Sequence, residues 1–205
     1  MLDARASARH IADLVWPAGS RLSPVLRAVG LALLGTLLLT ASAKVQVPFY
    51  PVPMTLQTMV VFLIGIAYGP RLGVATVALY LLQGALGYPV FAGTPEKGIG
   101  LAYMMGPTGG YLAGFLVAAA VTGTVAERLP RWPAVAAGIA LATVLVYLLG
   151  TAWLATLVGI DRVWALGVAP FLLGDLVKLL LATALAELGL SALRRRLDVA
   201  LPRGR

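Results

Sequence analysis

Five stretches of this chain, residues 28–43, 45–70, 72–95, 98–126 and 132–160, contain no Asp, Glu, Lys or Arg. A sixth, 163–186, contains only Asp175 and Lys178. Apolar runs of this length have one stable solution, because hydrocarbon cannot satisfy backbone N–H and C=O groups and a helix satisfies them internally. A spanning helix needs about 20 such residues to cross a core about 30 Å thick. The runs therefore predict an all-α integral membrane bundle of six transmembrane helices, approximately 25–43, 54–69, 71–87, 108–127, 133–158 and 168–193. The second and third meet at the tight turn YGPRLG, where Gly-Pro breaks the helix. A membrane β-barrel would alternate polar and apolar residues along each strand, and these runs do not. With 12% charged residues the chain is far below the roughly one quarter of a soluble domain.

The net charge of +8 follows the predicted topology. With the N-terminus in the cytoplasm, Arg5, Arg9, Arg21, Arg27, Arg71, Arg128, Arg131, Arg194, Arg195, Arg196, Arg203 and Arg205 fall inside, against Lys44, Lys97 and Arg162 outside. That asymmetry is the positive-inside pattern of a multi-pass protein of the cell (cytoplasmic) membrane with both termini cytoplasmic, so the basic charge does not imply nucleic acid. The sequence divides into a cytoplasmic N-terminal segment (1–22), a membrane domain (23–194) and a basic tail (195–205). Residues 1–19 lack the long apolar run of a cleavable signal. They interleave Leu2, Ile11, Leu14, Val15 and Trp16 with Arg5 and Arg9, which predicts an interfacial helix ending at Pro17. The tail RRRLDVALPRGR reads equally as a contact for anionic lipid or as a solvated terminus.

Common catalytic constellations are missing. Cysteine is absent, His10 is the sole histidine, and neither a phosphate-binding P-loop nor a G-x-S-x-G elbow occurs. A chain this short and charge-poor is expected to bind or move a ligand, not to be an enzyme, and to carry neither metal nor cofactor.

Three regions on the outer side can build a site. SAKVQVPFYPVPMTLQT (42–58) packs Pro48, Pro51 and Pro53 into six residues, which favours a stiff extended segment. It carries Phe49 and Tyr50 and opens the next helix with Thr55 and Gln57. The glycine-rich region 83–115 holds Tyr88, Phe91, Tyr103 and Tyr111 as aromatic walls and Lys97 as an outer cation for an anionic group. Gly109, Gly110 and Gly114 within it suit close helix packing. The third region is the charged pair. Asp175 and Lys178, spaced i and i+3, share one helix face roughly 10 Å below the helix start. Ionisable residues at that depth face a bundle interior or a pathway. The first helix carries a small-residue stripe, Ala28, Ala32 and Thr36, suited to docking a helix of this chain or of another subunit.

Four segments, PVPMTLQT (51–58), GYPVFAG (87–93), GPTGGYLAGF (106–115) and PFLLGDLVK (170–178), in this order and spacing, resemble the BioY family. That family comprises the biotin-binding substrate (S) components of energy-coupling factor (ECF) vitamin transporters. The resemblance implies a six-helix subunit with a vitamin pocket near the outer face. It also implies a transmembrane coupling subunit and two ATP-binding subunits as partners, with Ala28 and Ala32 in the coupling contact. Biotin would be the transported ligand. Its ureido N–H groups would be accepted by Asp175 and its ureido oxygen would receive Lys178. Its rings would lie against Phe49, Tyr50, Tyr88 or Phe91, Gln57 and Thr55 would add polar contacts, and Lys97 would meet the carboxylate. A stand-alone secondary carrier for biotin or another small vitamin is the alternative reading.

Overall fold

The computed structural model describes residues 10–17, 23–47 and 50–200. The described residues form helices and one two-stranded ribbon. In chain order these are α1 (Ala12–Val15), α2 (Pro24–Lys44), β1 (Gln46–Val47), β2 (Met54–Thr55), α3 (Gln57–Ala85), α4 (Gly100–Met104), α5 (Gly109–Arg128), α6 (Trp132–Val158), α7 (Ile160–Gly167) and α8 (Leu172–Ala200). Five of them are long and apolar enough to cross a membrane: α2, α3, α5, α6 and the part of α8 from Leu172 to Arg196. Their outward faces carry exposed leucines such as Leu37 (67%) and Leu173 (77%), a surface suited to lipid.

α3 is the element where sequence and structure count differently. It runs as one 29-residue element, yet Gly69 inside it has φ 77° and ψ 173°, followed by Pro70. A glycine tolerates that positive φ, and proline cannot continue the hydrogen-bond ladder. The chain folds back at this point. The Gln57 amide nitrogen lies 2.6 Å from the Tyr80 hydroxyl, whereas 23 residues of straight helix would separate them by about 35 Å. Gly73 sits equally close to Gly65, 3.1 Å from a Cβ position to the opposing Cα. The expected break at YGPRLG is thus present, inside one assigned element.

Small residues set the packing. A Cβ on Gly65 would lie 2.6 Å from the Ala119 carbonyl oxygen, and one on Gly123 would lie 2.6 Å from the Pro70 nitrogen, so α5 rests directly on the α3 hairpin. Across the α5–α6 seam, Gly114 approaches Val146 and Gly110 approaches Gly150. Backbones meet because no side chain intervenes. α8 closes the bundle against α3 and α6. α2 starts with Ser23 accepting the Leu26 N–H at 3.2 Å and with Pro24 in the first turn.

Of the expected N-terminal segment (1–22) and basic tail (195–205), residues 1–9, 18–22 and 201–205 lie outside the described residues. α8 continues to Ala200, so residues 195–200 of the expected tail are helical. At the N-terminus, residues 10–17 dock on the bundle, where their apolar groups find protein partners. Ala12 and Asp13 are buried. Ile11 covers Gly189, Trp16 covers Gly30 and His10 covers Gly69. Asp13 pairs with Arg27 at 2.5 Å. Arg27 also donates to the Trp16 carbonyl at 2.8 Å, and Arg196 donates to the Leu14 carbonyl at 3.0 Å. Breaking a buried ion pair from one side is costly. Arg27→Gln is expected to lower stability by about 2–3 kcal/mol and to open the 10–17 segment to protease. Limited proteolysis and a melting curve check this.

α7 is an eight-residue helix between the α6 end and α8 that the sequence reading did not anticipate. The proline-rich segment is also more regular than expected. β1 and β2 pair antiparallel, Gln46 with Thr55 and Val47 with Met54.

Candidate functional site

The α-helices converge on a cavity at the end of the bundle where the ribbon lies. It holds about 630 Å³ of empty space, open mouth included. The ribbon contributes Val52, Pro53, Met54 and Thr55, α3 contributes Gln57 and Thr58, and α4 contributes Tyr103. α5 supplies Tyr111, Leu112 and Phe115; α6 supplies Thr143, Val146 and Tyr147; Phe171, Asp175 and Lys178 complete the wall from the α8 side. The surroundings are mostly apolar with a few directed polar groups, as small-ligand sites usually are.

The polar floor is the charged pair. Lys178 Nζ donates to Asp175 Oδ1 at 2.7 Å, with side-chain exposures of 8% and 15%. The Tyr147 hydroxyl donates to the other oxygen, Oδ2. Three residues on two helices therefore fix one carboxylate. A carboxylate has about four acceptor positions and an ammonium three donors. Those contacts leave acceptor capacity on both Asp175 oxygens and donor capacity on Lys178, directed at the cavity these residues line. The pair need not separate to bind a ligand that offers donors and an acceptor side by side.

A second polar chain holds the ribbon side. Gln57, only 4% exposed, donates from Nε2 to the Tyr80 hydroxyl at 2.6 Å, and Tyr80 donates to the Val90 carbonyl at 2.9 Å. Thr55 Oγ1 accepts the Gln57 N–H at 3.2 Å. Tyr103 donates to the Ala92 carbonyl at 2.8 Å and Tyr111 to the Gly167 carbonyl at 2.8 Å, so both rings are locked. Burial raises the Tyr103 phenol above its ordinary pKa, which keeps it a neutral donor. Met54 lies over Gly174, where any Cβ would collide with its sulfur, and this ties the ribbon to the turn of α8 that carries Asp175.

Of the residues expected from sequence, Asp175, Lys178, Gln57 and Thr55 line this cavity. Phe91 does not. It is 1% exposed and stacks behind Tyr103, ring centroids 5.0 Å apart, with Tyr80 edge-on at 5.4 Å. Tyr50 (88% exposed) and Tyr88 (61%) are not among its lining residues. Phe49 lies outside the described residues. Lys97 lines a smaller adjoining cavity that shares Pro53, Tyr103 and Thr108 with the main one. Lys44, the other outer lysine, is committed to structure, donating to the carbonyls of Phe91 and Thr94 at 3.0 Å each. In the α2 stripe, Ala32 and Thr36 are buried within the chain, and Thr36 Oγ1 accepts from Gln83 at 3.4 Å; Ala28 is half-buried.

Tyr147 is the main residue the sequence reading missed. A tyrosine in a charge-free span is common, but its hydroxyl needs a polar partner in hydrocarbon. The nearby carboxylate was the available signal.

A multi-pass helical membrane protein with an enclosed, polar-floored cavity under a ribbon is the class this fold and site define. Comparison narrows it. The profile described as the BioY family matches residues 13–195, and the chain belongs to that family. It is 38% identical over 159 residues to the probable biotin transporter BioY of Pyrococcus horikoshii, covering 78% of this chain and 93% of that one. It is 40% identical over 153 residues to the biotin transporter BioY of Thermotoga maritima, covering 74% and 88%. Among solved structures, the S-component for biotin from an ECF-type ABC transporter superposes with a TM-score of 0.64 at 23% identity, covering 84% of this chain and 92% of that one. That likeness establishes the shared fold.

Proposed function

We propose that this chain is the biotin-binding subunit of an ECF-type importer, energised by ATP hydrolysis on partner chains. The observation that carries this reading is the Asp175–Lys178–Tyr147 constellation at the floor of the cavity. Biotin's ureido ring presents two N–H donors beside one carbonyl acceptor. Asp175 accepts the donors and Lys178 gives to the carbonyl, each as a charge-assisted hydrogen bond. Tyr103, Tyr111, Phe115 and Phe171 offer apolar walls for the bicyclic rings. Lys97, in the adjoining cavity, is the cation for the valerate carboxylate. The names of the family relatives point to the same ligand.

The topology fits such a role when the two arms of α3 are counted separately, giving six passes. The arginine asymmetry then puts both termini in the cytoplasm and the cavity at the outer face of the cytoplasmic membrane. With no P-loop in the sequence, ATP hydrolysis in this reading falls to other chains: a transmembrane coupling subunit and two ATP-binding subunits. Ala28 is the member of the α2 stripe left for that contact, since Ala32 and Thr36 are used internally.

Uptake of labelled biotin into vesicles tests the energising scheme. Vesicles with this chain alone are expected to bind biotin without accumulating it, and accumulation should need the coupling and ATP-binding chains plus ATP. Accumulation by the single chain driven by a proton gradient would make it a secondary carrier instead. Tyr147→Phe removes one donor from Asp175 without changing shape. The loss of one hydrogen bond, about 1 kcal/mol, should weaken biotin binding by about fivefold in a titration.

A further inference from the structure

A second cavity opens on the lipid-facing side, between α6 and α8. Trp132 and Ala136 form one wall, and Leu180 and Ala184 the other; Glu187 lies at the end of the groove nearest the α8 C-terminus. At 1.5 Å per residue Glu187 lies about 18 Å along α8 from Asp175, in the opposite half of the bundle. The groove is therefore distinct from the site above, and its reading does not depend on biotin.

Two features at its end ask for a ligand. Glu187 Oε1 accepts from Arg194; Oε2 is covered by protein and meets no donor among the described residues, although the side chain as a whole is 37% exposed. Buried acceptors are normally satisfied. Arg194 also reaches the Pro130 carbonyl at 3.5 Å, which holds its guanidinium beside the start of α6. Arg194, whose side chain is 48% exposed, is the cation at this end, and Arg131 directly precedes Trp132 of the groove wall in the chain. An occupant must be apolar along its length, anionic at its head, and able to donate a hydrogen bond there. A tryptophan at the groove's edge suits the headgroup boundary.

We propose that this groove binds an anionic glycerophospholipid with a hydroxyl-bearing headgroup, the chemistry of phosphatidylglycerol. An acyl chain occupies the space that Ala136 and Ala184 leave open. The phosphate meets Arg131 and Arg194, and a headgroup hydroxyl donates to Glu187 Oε2.

The test is native mass spectrometry of the purified full chain after delipidation and exposure to one lipid at a time. Phosphatidylglycerol should be retained at least tenfold more than phosphatidylcholine, which lacks both the net charge and the donor. Phosphatidylmethanol, equally charged but without a hydroxyl, should fall between them. Ala184→Leu, which fills the groove from a lipid-facing position, should lower phosphatidylglycerol retention at least tenfold with an unchanged melting temperature. Ala136→Leu repeats the test from the opposite wall should the first variant fail to fold. Equal retention of the three lipids overturns the proposal. So does undiminished phosphatidylglycerol retention in both filled-groove variants, or a groove occupied by a second copy of the chain in its place.

Discussion

Asp175→Asn is expected to weaken biotin binding at least tenfold while the purified protein stays folded. The substitution keeps the shape of the side chain and removes its charge. It replaces one of the two acceptor oxygens by an NH₂ group, which turns a donor toward Lys178, toward Tyr147, or toward the ligand N–H that an oxygen had accepted. Charge-assisted hydrogen bonds are roughly twice as strong as neutral ones, and a tenfold loss corresponds to about 1.4 kcal/mol. The fold should survive because the bundle is held elsewhere, along the glycine seams of α3, α5 and α6. Titration of the variant with biotin, alongside a melting curve, separates the two effects. Unchanged affinity in a folded variant would make Asp175 a structural residue and dissolve the site assignment.

Gly65→Val should be the most damaging single substitution away from the site. A Cβ at position 65 would lie 2.6 Å from the Ala119 carbonyl oxygen and collide with Thr122 Oγ1. The Thr122 hydroxyl is itself tied to the Ala118 carbonyl at 2.8 Å, and the Ala119 oxygen is backbone, so neither neighbour can turn aside. The helices must separate. Overpacking of a well-packed core costs about 1–3 kcal/mol, and here the added methyls of valine put the loss near the top of that range. The expected result is a protein that inserts but melts well below the wild type. It should also lose biotin binding, because Gln57 at the head of α3 moves with the hairpin, and Thr55 of β2 is bonded to it. A wild-type melting temperature would mean that the α3–α5 seam is looser than this packing implies.

Much of this architecture was legible because charge is scarce. The charge-free runs marked the long helices, two of them falling within the single element α3, and the predicted ends of α5 and α6 fall within a residue of those observed. The YGPRLG reversal was equally readable, since Gly69 and Pro70 each break a helix for a different reason. α7 was not: eight residues with Asp161 and Arg162 among them carry too few turns to show a period. Within the site, Asp175 and Lys178 stood out because charges at membrane depth need a reason. Tyr147 did not, because tyrosine is amphipathic and its partner lies 28 residues away on another helix. The aromatic residues were the weakest inference. Glycine-rich sequence does not reveal which way a ring turns, so Tyr50 and Tyr88 were expected against the ligand and are exposed outside the lining, while Tyr103 and Tyr111 do line the wall. For the N-terminal segment, composition cannot tell a lipid surface from the end of a bundle, against which Ile11 and Trp16 lie.

The central claim is that one cavity, floored by Asp175, Lys178 and Tyr147, recognises the ureido ring of biotin. Titration of the purified chain with biotin, riboflavin, thiamine and a biotin derivative with the ureido ring opened to the diamine tests it most directly. The account predicts saturable binding of biotin, with the diamine and both other vitamins at least tenfold weaker. Binding of the diamine as tightly as biotin, or preference for either of the other vitamins, would contradict it.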